Sequence, residues 1–211
     1  MPVSFRFDES NFHSCCDILA KKDAHLKTTL KQYGYPPLWR RKPTFANLIQ
    51  IILEQQVSLA SAKAAFGKLQ NKIRNVTPLR LLSLSDAELK ACYFSRQKIV
   101  YAKELAKAVI DQKFSFKKII QLPPDEIRNS LKSIKGIGDW TADIFMMMCL
   151  QESDIFPSGD IALIKSMKEI KGLPLHTSRE QILSIAENWK PYRTVAAFIL
   201  YHAYLRKRNR S

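Results

Sequence analysis

Apolar residues recur at helical spacing through most of the chain. Phe45, Leu48, Ile49, Ile52 and Leu53 share one helical face, as do Ile99, Ala102, Leu105, Ala106, Val109 and Ile110. Start signals accompany the pattern. Ser85-Asp-Ala-Glu88 reads as a capping box, with Leu84 and Leu89 placed as a hydrophobic staple around it. Pro123-Pro124-Asp125-Glu126 puts prolines and acids where a helix N-terminus favours them, and Thr177-Ser178-Arg-Glu-Gln181 opens another helix in the same way. No stretch alternates apolar and polar positions between turn dipeptides, so no sheet is expected. The fold class is all-α.

Two breaks organise the helices. Gly34-Tyr-Pro-Pro-Leu-Trp-Arg-Arg-Lys-Pro43 separates an N-terminal helix from the Phe45 helix, and Glu152-Ser-Asp-Ile-Phe-Pro-Ser-Gly159 follows a strongly apolar helix ending near Leu150. The expectation is a two-lobed helical bundle. Residues 44–150 form one lobe, residues 1–43 with 151–211 form the second, and the active site lies in the cleft between them. The basic tail Arg206-Lys-Arg-Asn-Arg210 reads as a solvated end within reach of phosphate.

Composition narrows the class. Of 211 residues, 34 are Lys or Arg against 19 Asp or Glu, a formal charge of +15, and 46% are hydrophobic. That is enough apolar material for a packed core, and the charge favours a polyanionic partner, nucleic acid ahead of an acidic membrane surface. Binding carried by such charge is expected to weaken steeply as salt rises. The longest apolar runs, Ile144–Leu150 and Val195–Tyr201, fall far short of the roughly 20 residues that span a bilayer. Acidic Asp8 and Glu9 stand where a signal peptide would be apolar. Cys15, Cys16, Cys92 and Cys149 have no spacing suited to a disulfide framework, a zinc site or a cluster, and His13 beside the Cys pair makes a poor metal site. They read as reduced, buried thiols of an intracellular protein.

The most informative stretch is Leu131-Lys-Ser-Ile-Lys-Gly136-Ile-Gly138-Asp-Trp140-Thr-Ala-Asp143. Two glycines flank one apolar residue, between a helix ending near Ser133 and another starting at Asp139. Both glycines permit backbone angles closed to other residues, and neither projects anything that blocks approach. Ile137 would point inward and pin the helices, leaving main-chain N–H groups of Gly136, Ile137 and Gly138 at a helix N-terminus for a DNA phosphate, with Lys135 and Thr141 beside them. An ordinary helix–helix turn with a glycine cap would need one glycine, not two.

Gly-Ile-Gly-Asp-Trp-Thr-Ala-Asp, followed after a helix by Asp154-Ile-Phe-Pro-Ser-Gly-Asp160-Ile-Ala-Leu, resembles the helix-hairpin-helix (HhH-GPD) DNA glycosylases. The nearest branch is the alkylation-repair one, 3-methyladenine DNA glycosylase II. Phe45–Leu59 with Gln55-Gln56-Val-Ser resembles that family's helix into its Gln-Gln/Leu-Val-Ser turn. Phe94-Ser-Arg-Gln-Lys98 resembles its Leu-Ser-x-x-Lys segment, and Trp189-Lys-Pro-Tyr-Arg193 its Trp-Lys-Pro-Trp-Arg segment. The likeness runs from about residue 44 to 204. Two departures stand out: Lys135 replaces the usual Pro before the first hairpin glycine, and the sheet-containing N-terminal domain of longer relatives has no counterpart in this sequence.

The resemblance implies a chemistry. A glycosylase extrudes a nucleotide from the duplex and stabilises positive charge growing on the sugar as the base leaves. The family's essential Asp corresponds to Asp160, which also suits the N-cap of the following helix. Asp139, Asp143 and Asp154 are rival carboxylates, the first two read as acids of the first turn of their helix. Trp140 stands where relatives that also cut the backbone carry a lysine, so a monofunctional enzyme using water is implied. Trp140 and Tyr201 match aromatic positions of the base pocket, where an indole face would attract a cationic methylated purine. Gln56 matches the side chain wedged into the gap left by the flipped nucleotide, with Gln55 beside it.

The implied function is excision of alkylated purines such as 3-methyladenine and 7-methylguanine from damaged double-stranded DNA, by a monomer that needs no metal for chemistry. A monovalent cation under the hairpin carbonyls is compatible with it. Two alternatives stay open from the residues: a glycosylase for uracil, hypoxanthine or a mismatched base, and a helix-hairpin-helix module that binds DNA without catalysis. The expected place is nucleoid, cytoplasm or nucleus.

Overall fold

A computed structural model describes residues 5–208 of the chain. Its helices are α1 (Phe12–Lys22), α2 (Ala24–Tyr33), α3 (Phe45–Glu54), α4 (Leu59–Ile73), α5 (Pro78–Leu82), α6 (Asp86–Ala91) and α7 (Arg96–Ile110). They continue as α8 (Phe116–Ile119), α9 (Pro124–Lys132), α10 (Asp139–Cys149), α11 (Ile161–Lys171), α12 (Arg179–Glu187) and α13 (Arg193–Arg208). No strand occurs among the described residues, in keeping with the all-α expectation. One isolated bridge pairs Arg6 with Glu152, reinforced by an ion pair of 2.6 Å between their side chains. No helix of the described residues is long and apolar enough to cross a membrane. Of the basic tail, Arg206–Arg208 end α13 and are exposed, while Asn209 and Arg210 lie outside the described residues.

The start signals act as read. Ser85 and Ser178 each form a full capping box, with Glu88 and Gln181 respectively, and Pro124 occupies the first turn of α9. Side chains of Thr44, Ser58, Thr77, Ser95 and Ser115 accept main-chain N–H groups at the starts of α3, α4, α5, α7 and α8. The N-terminal region differs from the single helix expected of it. It is two helices, α1 and α2, broken at Asp23, whose carboxylate caps α2 by accepting from His25 N and Leu26 N.

The helices sort into two compact units. One is Arg41–Phe145 and the other combines the described parts of Met1–Arg40 and Met146–Ser211, so the chain passes between them at Arg40 and again inside α10. The first unit is built on α3, whose Leu48, Ile49, Ile51 and Ile52 are completely buried, together with Leu69, Leu89, Ala102, Leu105, Ile127 and Leu131 from its neighbours. The second is built on α13, where Val195 through Leu200 are buried without a break, joined by Leu19, Leu26, Leu163, Met167 and Trp189. Phe7, Phe12 and Trp39 surround the ring of Phe198 at centroid distances of 5.8, 5.9 and 5.4 Å. All four cysteines are buried thiols outside any disulfide; burial pushes Cys16 up to about 12, which keeps it unreactive near neutral pH. His13 stacks on Tyr35 at 4.3 Å, which gives it a packing role.

Asp23 joins three segments of the second unit. Beyond capping α2, its carboxylate accepts from Lys171 Nζ at 2.6 Å and from the buried Trp189 Nε1 at 2.7 Å. Burial disfavours its charged form, but the Lys171, Trp189 and Leu26 hydrogen bonds outweigh that and hold the carboxyl below its ordinary 3.8. A depressed acid contributes stability above its unfolded value and loses it as pH falls through the folded value. Asp23→Ala is therefore expected to cost about 3 kcal/mol at neutral pH. Urea unfolding should show that gap closing in acid; an equal gap at all pH values would contradict the ionic role.

Candidate functional site

The hairpin belongs to the first unit. α9 ends at Lys132, Ser133 continues in right-handed helical angles, and the turn runs from Ile134 to Gly138. Ile134 and Ile137 are buried, and Ile137 N–H donates to Ile134 O at 3.1 Å. Ile137 thus pins the turn from within, and its N–H is spent on the turn itself. Gly138 O accepts from Ala142 N, so Gly138 caps α10 and the N–H groups of Asp139, Trp140 and Thr141 point out of the helix end. Lys135 is exposed beside them.

The two glycines do different work. Gly136 has φ +93, and a Cβ there would lie 2.0–2.5 Å from three ring atoms of Tyr101 on α7. Its backbone therefore rests on the tyrosine ring. Gly138 lies outside the left-handed region, and a Cβ there would meet nothing within 4 Å. Of the two freedoms a glycine offers, Gly136 uses the unusual backbone angle and is required by the fold, and Gly138 uses the missing side chain and leaves open space at the helix end.

Gln55 and Thr141 also sit differently from their expected places. Gln55 Nε2 donates to Gly136 O at 2.9 Å and to Thr141 Oγ1 at 2.8 Å, with Gln55 half-buried and Thr141 2% exposed. The Thr141 hydroxyl faces the protein, so what it offers an anion is its main-chain N–H, and Gln55 ties the hairpin from behind. The same Gly136 carbonyl is one under which a monovalent cation is expected, and it holds the Gln55 amide. Gln56 is exposed, with φ +55, in the turn between α3 and α4.

In the second unit, Asp160 is half-buried and caps α11 by accepting from Leu163 N at 2.9 Å. Its rivals are tied to cations. Arg193 holds Asp154 through Nε at 2.7 Å and Nη2 at 3.0 Å, Lys132 reaches Asp139 at 2.6 Å, and Arg128 reaches the buried Asp143 at 2.6 Å. Asp143, expected in the first turn of α10, lies beyond it; its charge is accommodated by Arg128 and not by the helix end. Trp140 is half-buried at the second position of α10, and Tyr201 is half-buried on α13.

Three residues of the first unit escaped the sequence reading of the site. Tyr101 seats Gly136. Lys98 Nζ donates to Leu53 O at 2.7 Å at the end of α3, its pKa lowered by desolvation. Arg41 holds the buried Glu54 through two hydrogen bonds of 3.2 and 2.8 Å. Lys98 ends the Phe94–Lys98 segment, and nothing local marks the others.

The HhH-GPD superfamily of base excision DNA repair proteins matches residues 49–191. The chain belongs to that superfamily. Among its relatives, DNA-3-methyladenine glycosylase 1 of Schizosaccharomyces pombe is 28% identical over 87% of this chain and 83% of its own length. DNA-3-methyladenine glycosylase of Bacillus subtilis is also 28% identical, over 87% of this chain and 64% of its own. The solved structure of the S. pombe 3-methyladenine DNA glycosylase in complex with abasic DNA superposes with a TM-score of 0.83 at 27% identity, covering 89% of this chain and 95% of that one.

For this HhH-GPD member, the division of labour between the glycines separates stability from binding. Gly136→Ala should cost about 3 kcal/mol or more, from the ring clash and the left-handed backbone together. Gly138→Ala should lose far less stability than Gly136→Ala, no more than the roughly 1 kcal/mol of a weaker helix cap, yet bind duplex DNA more weakly, because its methyl occupies the space at the helix end. Thermal melts and fluorescence anisotropy measure the two effects. Parental DNA affinity in Gly138→Ala would remove the hairpin from the interface.

Proposed function

We propose that the chain is a monofunctional DNA glycosylase acting on alkylated purines such as 3-methyladenine and 7-methylguanine in double-stranded DNA. Kinship with 3-methyladenine glycosylases along most of the chain supports the substrate class. The observation that carries the chemistry is the carboxylate of Asp160, set at the head of α11 by the Leu163 N–H. By resemblance it stands at the family's catalytic position, ahead of Asp139, Asp143 and Asp154.

The lesions named carry a formal positive charge on the purine. The bond between the sugar C1′ and the base nitrogen breaks with its electron pair going to the base, which leaves neutral and needs no proton from the protein. Positive charge then develops on the sugar ring, and a fixed carboxylate stabilises it without reorganising. Water, oriented by Asp160, adds to C1′ and loses its proton to the surrounding solvent. Trp140 takes the place of a lyase lysine and has no amine to attack the sugar. Its indole face suits a cationic purine, as does the ring of Tyr201. The hairpin N–H groups and Lys135 hold phosphate, Gln56 fills the gap left by the extruded nucleotide, and the protein acts on DNA as a monomer.

Asp160→Asn removes the negative charge but keeps an oxygen for the Leu163 N–H. It should slow release of free base from methylated duplex by at least about a hundredfold, while affinity for the duplex stays near that of the parent. Base release at the parental rate would assign the chemistry elsewhere, and release from deaminated but not methylated duplex would change the substrate. Borohydride should trap no covalent adduct on damaged DNA; a trapped adduct would reveal an amine nucleophile.

A further inference from the structure

The strained turn at Gln56 is the starting point. A residue bearing a Cβ at φ +55 persists where its surroundings fix it from both sides. On the far side, Ser58 accepts Ser61 N at 3.1 Å and starts α4. On the near side, three consecutive residues are each held by a different partner. Lys98 holds the Leu53 carbonyl at 2.7 Å, Arg41 holds the Glu54 carboxylate at 2.8 Å, and the Gln55 amide bridges Gly136 O and Thr141 Oγ1. The first two bonds anchor the end of α3. The Gln55 bonds reach the hairpin itself, on both sides of its opening: Gly136 precedes Gly138, and Thr141 follows it in the first turn of α10.

The exposed Gln56 side chain and the outward N–H groups of the hairpin therefore belong to one hydrogen-bonded piece, joined through the Gln55 amide. We propose that Gln55 is a positioning residue that holds the inserting Gln56 in register with the phosphate-binding hairpin. The proposal rests on the reading of the hairpin as a phosphate clamp and of Gln56 as the wedge. Its mechanical content is specific. A phosphate seated on the hairpin fixes the duplex, and Gln55 fixes where the wedge stands relative to that phosphate. Unstacking a base costs free energy that a wedge at a loose position recovers only in part. Loss of the Gln55 amide should leave phosphate binding nearly intact and slow insertion.

The two steps can be read apart without any base excision. A duplex carrying an abasic-site analogue beside 2-aminopurine brightens when the 2-aminopurine is unstacked. In stopped-flow mixing, Gln55→Leu should unstack it about ten- to thirtyfold more slowly than the parent, as expected for loss of two partly buried hydrogen bonds. Its equilibrium affinity for the same duplex should stay within about threefold. Thr141→Val, which removes one of the two acceptors and is milder to the fold, should fall between. Gln56→Ala should lose most of the fluorescence amplitude, and adding Gln55→Leu to it should bring no further slowing. An unchanged unstacking rate in Gln55→Leu and Thr141→Val overturns the proposal. So does a loss of affinity as large as the loss of rate, since Gln55 would then only support the hairpin. Failure to release alkylated purines, with unstacking still dependent on Gln55, would overturn the reading of the substrate and leave this inference standing.

Discussion

The hairpin depends on the seating of the Gly136 backbone against the ring of Tyr101. A close approach of main chain to an aromatic face is possible where no Cβ intervenes, and φ +93 is the angle that brings the chain there. Once Gly136 is seated, Ile137 is directed into the core and Gly138 falls at the head of α10. The outward N–H groups of that helix are the consequence. A general surplus of +15 charges draws a polyanion to the protein; the turn is the proposed seat of one phosphate.

A second theme is the treatment of acids in a basic chain. Asp23, Glu54, Asp143 and Glu152 are buried, and each has a cationic partner: Lys171, Arg41, Arg128 and Arg6. Burying a carboxylate without such a partner would cost several kcal/mol. These pairs are structural and hold the fold. Asp160 is oriented by a helix end, so its capping role and its proposed catalytic role use the same carboxylate.

Local pattern made the helices legible, because caps and apolar spacing act over a few residues. Ser85–Glu88 and Ser178–Gln181 show this directly. The break at Asp23 was not legible, since its partners Lys171 and Trp189 are 148 and 166 positions away. Resemblance names Gln56 as the wedge and sets Gln55 beside it, without saying what Gln55 holds. Backbone angle and a partner 81 residues on assign one to the hairpin and leave the other exposed. Thr141 shows the same limit: its position in the first turn could be read, and the direction of its hydroxyl could not. The glycines look alike in sequence, and the ring under Gly136 is what separates them.

Amide hydrogen exchange at residue resolution, with and without a duplex carrying an abasic-site analogue, tests the phosphate clamp most directly. The amides of Gly138, Asp139, Trp140 and Thr141 should be protected on binding, while Ile137, whose N–H is already bonded within the turn, changes little. Protection concentrated on other helices, with the hairpin amides exchanging as in the unbound protein, would contradict the account.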